Sequence, residues 1–369
     1  MISDAYRKNL FFTALIAALA LLPACDARRP APPKQSFLAM GTLGSVSLPA
    51  SEAERLAEAT AIVTNVLRDL EERYSVYRPE SELSRLNAQA GKAPVPVSRE
   101  LRKLLVLAKA YGDLSDGAFD VTIGPLMKLW GFNQNRPPAH PLTPDQVRPF
   151  LDKIGYRHIV LSNDTAFLDQ AGVQVDLGGI AKGYAVDRCC AELLSHGLSN
   201  ALVNLGGNMR ALGTPGTPGT PGAPGMPGAP DKDRAWKIAV RHPFVPGQSL
   251  GTLRLSNGQA VATSGHYERF VTLNGRRYAH VMDPRTGFPV SGMAGITVLA
   301  PTAVEADALS TMLFVLGTQE GLAVLKKKPG CAALFVPDQQ PLEIRITPGF
   351  ANGFNPDPNV ADHVARIDK

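Results

Sequence analysis

The chain lacks the residue spacings that mark the common zinc sites. Its 369 residues include seven histidines and four cysteines, yet neither a Cys-x-x-Cys nor a His-Glu-x-x-His pattern occurs. This absence excludes zinc ribbons, zinc fingers and zincin-type proteases. A metal site in this chain should therefore use hard oxygen ligands. The net charge is only +5 and the basic residues form no stripe, so we predict no nucleic-acid partner.

The N-terminus carries an export signal. Arg7 and Lys8 precede an apolar run over 10–22 that ends at Pro23-Ala24-Cys25. The run is too short to span a bilayer, so residues 1–24 are predicted to be a signal peptide. The segment 22–25 resembles the bacterial lipobox, which implies that Cys25 is lipidated; the alternative is simple cleavage. Acyl chains would anchor the protein at about 0.8 kcal/mol per buried CH₂.

The proline-rich segment 25–35 is predicted to tether the folded part to this anchor. We therefore expect a bacterial periplasmic protein that is lipid-anchored to a membrane. The expected membrane is the inner one. In that oxidising compartment Cys189, Cys190 and Cys331 leave two alternatives. One of the adjacent pair forms a disulfide with Cys331, or all three are buried thiols, which is the interpretation we favour.

The periodicity of the chain changes near residue 200. Before that point, apolar residues recur at helical spacing over 52–74 and over 99–111, where Ser98 is a suitable N-cap. After it come short β-rich runs, together with a helix over 304–316 that Gly317 closes. The predicted strands are 201–205, 236–240, 259–263, 278–282 and 296–299.

This order predicts an α+β fold, a single large domain of two lobes with antiparallel and mixed sheets and packed helices. The domain is predicted to span 36–350, and 351–369 to be a C-terminal tail. Residues 213–230 read Gly-x-Pro six times. Because proline removes backbone donors and fixes φ, we interpret them as a polyproline-II surface insertion between two strands.

A glycine turn over 176–183 is the sharpest local signal. It follows the apolar residues 173–175, predicted to form a strand, and leads into a helical pattern that ends near Gly197. Bare backbone amides at a helix N-terminus attract phosphate, and Gly178 and Gly179 remove side chains that would block its approach. An ordinary helix entry with an acidic cap would look the same. A second glycine turn, over 204–208, indicates either a ligand across strand ends or a hairpin.

Two further groups of residues could take part in chemistry. Asp307 and Thr311 are spaced i and i+4 on the helix over 304–316, so they share one face. A carboxylate and a hydroxyl make an incomplete hard-oxygen site that substrate phosphates and water would complete, as Mg²⁺ prefers. The alternative is that acidic residues here only favour the helix dipole. Farther upstream, a turn at 284–287 exposes His280 and Asp283. The alternative is a structural role for His280, which is the commoner role of a lone histidine before a turn.

Taken together, these segments resemble the FAD:protein FMN transferase family. The resemblance runs from about Met40 to Gly317 and includes the two glycine turns. Several separated motifs carry it in the family's order. They are 40–42 (MGT), 77–87 (YRPESELSRLN), 120–126 (DVTIGPL), 129–132 (LWGF), 280–287 (HVMDPRTG) and 306–311 (ADALST).

The resemblance implies specific site residues. Mg²⁺ would be held by the side chains of Asp307 and Thr311 and by the backbone carbonyl of Gly179, where the family commonly has alanine. FAD, the substrate, would contact residues spread along the chain. These are Met40, Tyr77, Ala118, Phe119, Asp120, Asp176, Lys182 and the backbone near Val281.

The implied reaction is Mg²⁺-dependent transfer of FMN from FAD to a threonine or serine hydroxyl of an acceptor flavoprotein, with release of AMP. His280 is the first candidate for accepting the hydroxyl proton and Asp283 the second. The resemblance also implies that the acceptor belongs to a membrane redox system. Two alternatives remain: a pyrophosphatase that splits FAD into FMN and AMP, and a periplasmic flavin-binding lipoprotein without turnover.

Overall fold

The longer helices bury apolar side chains against the sheets. The structure is a computed structural model and describes residues 31–133, 136–216 and 235–368. Its α-helices are α1 Leu56–Tyr74, α2 Glu82–Ala88, α3 Arg99–Leu114, α4 Gly124–Leu129, α5 Pro144–Leu151, α6 Ala181–Ser195, α7 Ala303–Lys326 and α8 Pro348–Ala351.

The strands of the N-terminal part are interspersed with these helices. They are β1 Lys34–Ala39, β2 Thr42–Ser47, β3 Val95–Pro96, β4 Ile159–Leu161, β5 Thr165–Leu168, β6 Ala201–Leu205 and β7 Asn208–Leu212.

Most of the remaining strands follow one another directly. They are β8 Trp236–Arg241, β9 Ser249–Leu255, β10 Ala260–Gly265, β11 Phe270–Leu273, β12 Arg276–Ala279, β13 Met282–Asp283, β14 Phe288–Pro289, β15 Met293–Ala300, β16 Ala332–Pro337, β17 Ile344–Ile346, β18 Phe354–Pro356 and β19 Val364–Arg366.

A nine-stranded sheet forms the centre of the fold, in the order β1-β2-β6-β7-β10-β15-β16-β17-β19. Its pairings are antiparallel except for the parallel pair β17–β19. Smaller sheets are β18-β9-β8 and β3-β5-β4, and β11-β12 and β13-β14 are two-stranded. The predicted single α+β domain with antiparallel and mixed sheets is confirmed, and the described residues from Pro33 onward form one compact unit.

The central sheet separates two apolar clusters. Side chains alternate between faces along a strand, so Ala260 and Ala262 of β10 join the cluster under α1, α6 and α7. Val261, between them, joins the cluster on the opposite face with β8, β9 and β18. A third cluster, which includes Trp130 and Met282, packs α4 and α5 against the hairpin strands β11–β14.

Several local predictions are confirmed. The Ser98 hydroxyl accepts from the Leu101 amide at 3.1 Å and caps α3. The second glycine turn is a hairpin between β6 and β7 with positive φ at Gly206 and Gly207, as the hairpin alternative predicted. Gly317 interrupts α7 with φ of 70°, but the helix end predicted there is wrong, because helical bonding resumes and α7 runs on to Lys326. By length and hydropathy α7 resembles a membrane span, but its first half packs in the core.

Three other predictions are wrong. Residues 173–175 form only an isolated bridge, between Gln174 and Ile123, because this backbone runs into the turn instead of a sheet. The strand predicted over 278–282 is broken, since β12 ends at Ala279 and a separate hairpin begins at Met282. The domain does not end at 350: β18 and β19 pair with β9 and β17, so the predicted tail belongs to the sheets.

Other predictions fall partly or wholly outside the described residues. These are the signal peptide, Cys25, most of the tether and most of the Gly-x-Pro insertion. The three remaining cysteines are all buried. Burial raises the pKa of Cys189 and raises that of Cys190 to about 12, so these two stay protonated thiols, as the favoured interpretation holds.

Candidate metal and flavin site

The N-terminus of α7 is fixed to α6 and to the central sheet by one half-buried carboxylate. Asp187 of α6 accepts from the amides of Ala303 and Val304, both at 2.9 Å. Arg210 of β7 donates to the same carboxylate at 2.6 Å. An acidic group at a helix N-terminus also interacts favourably with the helix dipole. This anchor sets where the second turn of α7 lies.

Asp307, in that second turn, is 3% exposed. Its Oδ2 accepts from the Gly183 amide of α6 at 2.8 Å, and its Oδ1 lies 3.9 Å from the Lys182 Nζ. Burial raises the pKa of Asp307, and the Lys182 ammonium opposes that rise. A buried carboxylate favours a nearby cation because burial without a positive partner is costly.

The Gly183 amide reaches Asp307 because the two helices approach closely there. A Cβ on Gly183 would lie 2.2 Å from the Ala303 carbonyl oxygen and 2.6 Å from the Asp307 Cβ. Only glycine fits at such a contact. Position 183 is therefore a packing requirement of the site.

Thr311 lies one turn beyond Asp307, against the glycine turn. A Cβ built on Gly179 would lie 3.3 Å from the Thr311 Cγ2 and 3.4 Å from its hydroxyl. Within the described part of the chain, neither the Thr311 hydroxyl nor the Gly179 carbonyl has a hydrogen-bond partner. The i, i+4 face predicted for Asp307 and Thr311 thus meets the predicted turn, although their sequence positions are far apart.

These residues fit a magnesium ion. No group of three or more His, Cys, Asp or Glu side chains within the described ranges could hold a metal. What the site offers is one buried carboxylate, one hydroxyl and one backbone carbonyl, from Asp307, Thr311 and Gly179. Mg²⁺ commonly takes such sparse protein ligation and completes its shell with water and substrate phosphate.

Lys182 is the positive charge of the site. Its Nζ donates to the Gly178 carbonyl at 3.2 Å, besides lying near Asp307. Burial raises the pKa of Glu268. The Arg241 guanidinium and the Lys182 ammonium oppose part of that rise. An ammonium beside a helix N-terminus is a suitable partner for a pyrophosphate.

Two aspartates shape the loops beside the turn. Asp176 folds back on its own turn, since its Oδ1 accepts from the Gly178 amide at 2.8 Å. Asp120 is buried, and its two oxygens accept from Thr122 and from the Tyr156 amide. The Asp120 carboxylate therefore holds the 118–122 loop, and its direct contact with FAD stays a prediction.

The other residues predicted to contact FAD vary in exposure. Ala118, Phe119 and Val281 are buried, whereas Tyr77 is 61% exposed. Phe119 reaches the metal residues, because its ring edge would lie 3.3 Å from a Cβ on Gly179. Met40 sits at the β1–β2 turn with φ of 49°, and its amide donates to Glu71 of α1 at 3.2 Å.

His280 lies between β12 and β13 and is half-buried. Its Nδ1 lies 3.0 Å from the Arg269 carbonyl oxygen. A carbonyl only accepts, so Nδ1 carries the proton and Nε2 keeps its lone pair. Burial and the nearby Lys182 ammonium lower the pKa of His280 to about 4. The imidazole is therefore neutral at pH 7, with a nitrogen able to accept a proton.

Asp283, the second predicted catalytic residue, is already paired. Its carboxylate accepts from the Arg285 amide, Nε and Nη2, each at 3.0 Å. The Gly287 amide closes the same turn by donating to the Asp283 carbonyl at 2.8 Å. These bonds favour a role in holding the turn, and His280 remains the candidate for proton transfer.

Sequence reasoning missed three supporting residues. Gly183 lay inside the recognised turn but had no assigned role. Asn208, whose side chain hydrogen-bonds to Asp307, lay in the second glycine turn. Asp187 was one of several polar residues on a helix, and no local pattern distinguished it. The two glycine turns were a usable signal, since both lead to Asp307.

Residues 40–335 match the model of the ApbE family. The chain belongs to the ApbE family. The match covers both glycine turns, His280 and the Asp307–Thr311 face, which is where the predicted resemblance placed the site.

Individual members of the ApbE family resemble the chain over most of its length. An FAD:protein FMN transferase of Treponema pallidum is 36% identical to this chain. The aligned region covers 85% of this chain and 86% of the relative. An FAD:protein FMN transferase of Salmonella typhimurium is 31% identical, and the aligned region covers 91% of this chain and 95% of the relative.

Solved ApbE structures have the same fold. The ApbE protein of Thermotoga maritima has a TM-score of 0.72 at 28% identity and covers 90% of this chain and 99% of its own. The flavin transferase ApbE of Vibrio cholerae has a TM-score of 0.72 at 27% identity, with coverage of 87% and 99%.

Proposed function

We propose that this chain is a transferase that moves FMN from FAD to a threonine or serine hydroxyl of an acceptor flavoprotein and releases AMP. Family membership and the similarity to FAD:protein FMN transferases support flavin transfer. The observation that carries the proposal is the meeting of Asp307 and Thr311 with the N-terminus of α6. That arrangement suits a cation and a pyrophosphate together.

The metal of the proposed reaction is Mg²⁺, held by Asp307, Thr311 and the Gly179 carbonyl. When bound, it would neutralise charge on the pyrophosphate oxygens. The Lys182 ammonium binds the same group and orients it. Phosphoryl transfer needs mainly positioning and charge stabilisation, so few catalytic side chains are required.

In the proposed step, the acceptor hydroxyl oxygen forms a bond to the FMN-side phosphorus. The bond from that phosphorus to the bridging oxygen breaks, and AMP leaves with the bridging oxygen. The Nε2 of His280 takes the hydroxyl proton and passes it to solvent. The Nδ1 bond to the Arg269 carbonyl holds the tautomer that this step requires.

The test combines the purified chain with FAD, MgCl₂ and candidate flavoproteins of membrane redox systems. We expect one acceptor to gain the mass of one FMN group, with AMP released in equal amount. Free FMN without a mass gain on any acceptor would replace the transferase proposal with FAD hydrolysis. FAD that remains intact in every mixture would contradict catalysis altogether.

We also propose that the mature protein is lipid-anchored at the periplasmic face of the bacterial membrane. The support is the lipobox-like segment ending at Cys25, which lies outside the described residues. Labelling cells with a radioactive fatty acid should mark the wild-type protein and leave the Cys25→Ser variant unlabelled. An unlabelled wild type would contradict the anchor.

A further inference from the structure

A third element reaches the proposed metal site from the central sheet. Asn208 is the first residue of β7, directly after the Gly206-Gly207 turn. It is 2% exposed, and its side chain lies close enough to the buried Asp307 carboxylate to act as a hydrogen-bond donor that lowers the pKa of Asp307. Asp307 therefore interacts with two neighbouring elements, the amide of Gly183 on α6 and the side chain of Asn208 on β7.

The chemistry of the amide fixes which of its ends faces Asp307. A carboxylate only accepts hydrogen bonds, so the Asn208 Nδ2 must donate to it. The Oδ1 end of the same group is buried and has no hydrogen-bond partner within the described residues. Buried polar atoms nearly always have partners, and an exception calls for an explanation such as a bound water or ion.

We propose that Asn208 is a positioning residue for the bound cation, orienting the Asp307 carboxylate through Nδ2 and accepting a hydrogen bond from a metal-bound water through Oδ1. This inference rests on the proposed Mg²⁺ function of the site. Mg²⁺ loses its water reluctantly and usually keeps several water ligands. An uncharged buried oxygen beside the carboxylate is a suitable acceptor for one of them.

A purely structural role would have a different signature. If Asn208 served only the hairpin, its loss would weaken folding and leave the metal affinity of the folded protein unchanged. Partners that orient metal ligands instead typically change metal affinity by 10- to 100-fold. Asn204 provides the matched control, because its Oδ1 caps the same hairpin by accepting from the Gly207 amide at 3.0 Å.

The experiment measures Mg²⁺ affinity by calorimetry, and Mn²⁺ binding by electron paramagnetic resonance, for the full chain without FAD. We expect Asn208→Leu to weaken both by about tenfold or more and to reduce the rise in Tm that Mg²⁺ gives. Asn204→Leu should lower the Tm of the metal-free protein and leave metal affinity at the wild-type value. Asn208→Asp, which restores an oxygen, should bind metal more tightly than Asn208→Leu.

The outcomes separate this inference from the function on which it rests. Wild-type affinity in Asn208→Leu, with binding lost in Asp307→Asn, would overturn the role of Asn208 alone. Equal affinity of wild type and Asp307→Asn would overturn the metal site itself, and the role of Asn208 with it. If Asn208→Leu does not fold, Asn208→Ala takes its place, and wild-type metal affinity in a folded Asn208→Ala would also overturn it.

Discussion

The metal cradle, formed by Gly179, Gly183, Asp307 and Thr311, and the His280 segment, residues 280–287, are built very differently. The cradle lies where two long helices meet the central sheet, and main-chain amides and a half-buried ion pair hold it. The His280 segment runs from one short hairpin into the turn of the next, and that turn is closed by a local ion pair between Asp283 and Arg285.

The difference matches two tasks of the proposed reaction, which are holding the phosphate with its metal and admitting the acceptor protein. A phosphate and its metal need fixed positions, which helices packed on a sheet provide. A protein acceptor has to enter and leave, and short surface hairpins leave room for that. If this comparison holds, loss of the Asp307 charge or of the close Gly183 contact should affect metal, FAD and stability together, whereas changes at His280 should affect transfer alone.

The largest effect should come from Asp307→Asn. The amide keeps the size of the side chain but removes the charge that binds a cation, so FAD cleavage should fall by about 10³-fold. Product formation at saturating FAD and Mg²⁺ measures this. An exposed aspartate, changed as Asp145→Asn, is the control, and near-wild-type cleavage by Asp307→Asn would contradict the cradle.

His280→Ala should lower transfer by about 10²-fold, because a positioned base typically contributes that much. FAD and Mg²⁺ affinity should stay near wild type, unlike in the cradle variant. Since the pKa of His280 is lowered to about 4, the acid limb of kcat/KM in the wild type should lie well below pH 6.5. An acid limb at 6.5 would argue against His280 as the base.

Gly183 and Gly179 belong to one glycine turn, but replacement by alanine should be harmful at Gly183 and tolerated at Gly179. In Gly183→Ala the new Cβ overlaps the Ala303 carbonyl, so we expect a loss of about 1–3 kcal/mol in the free energy of unfolding, together with weaker metal binding. Gly179→Ala gives contacts of 3.3 Å or more and should keep both. Denaturant unfolding and calorimetry measure the pair, and a tolerated Gly183→Ala would contradict the close helix contact.

The smallest expected effect is a change in the pKa of His280, which depends on the Lys182 ammonium beside the metal cradle. Lys182→Met removes a positive charge near His280, so the pKa of His280 should rise from about 4 toward 6.5. NMR titration of the imidazole measures it. An unchanged value would mean that the cradle and the His280 segment are electrostatically independent.

The same lowered pKa has a consequence for stability. The unfolded chain takes up the His280 proton near pH 6.5 and the folded chain only near 4, so this group makes folding less favourable as pH falls through that window. Because Lys182→Met raises the folded value, it should reduce this loss. Unfolding measured at pH 7 and pH 5 should show the difference between the two proteins.

Short-range patterns in the sequence were sufficient for much of the fold and part of the site. Ser98 caps its helix, Gly317 interrupts α7, and Asp307 and Thr311 share a helical face, because each depends on neighbours within about one turn. The break after Ala279 and the C-terminal strands β18 and β19 were missed. Their pairing partners lie elsewhere in the chain, and no local pattern records such pairing.

The sequence by itself therefore determined which residues could form a hard-oxygen site, and the family resemblance added what that site would bind. Only the tertiary structure decided that Gly183 would donate to Asp307, that Asn208 would reach it from the sheet, and that Asp187 would anchor α7. Each of these contacts joins residues about a hundred positions apart. They exist because helices α6 and α7 pack on the same face of one sheet, and that packing is a property of the whole core.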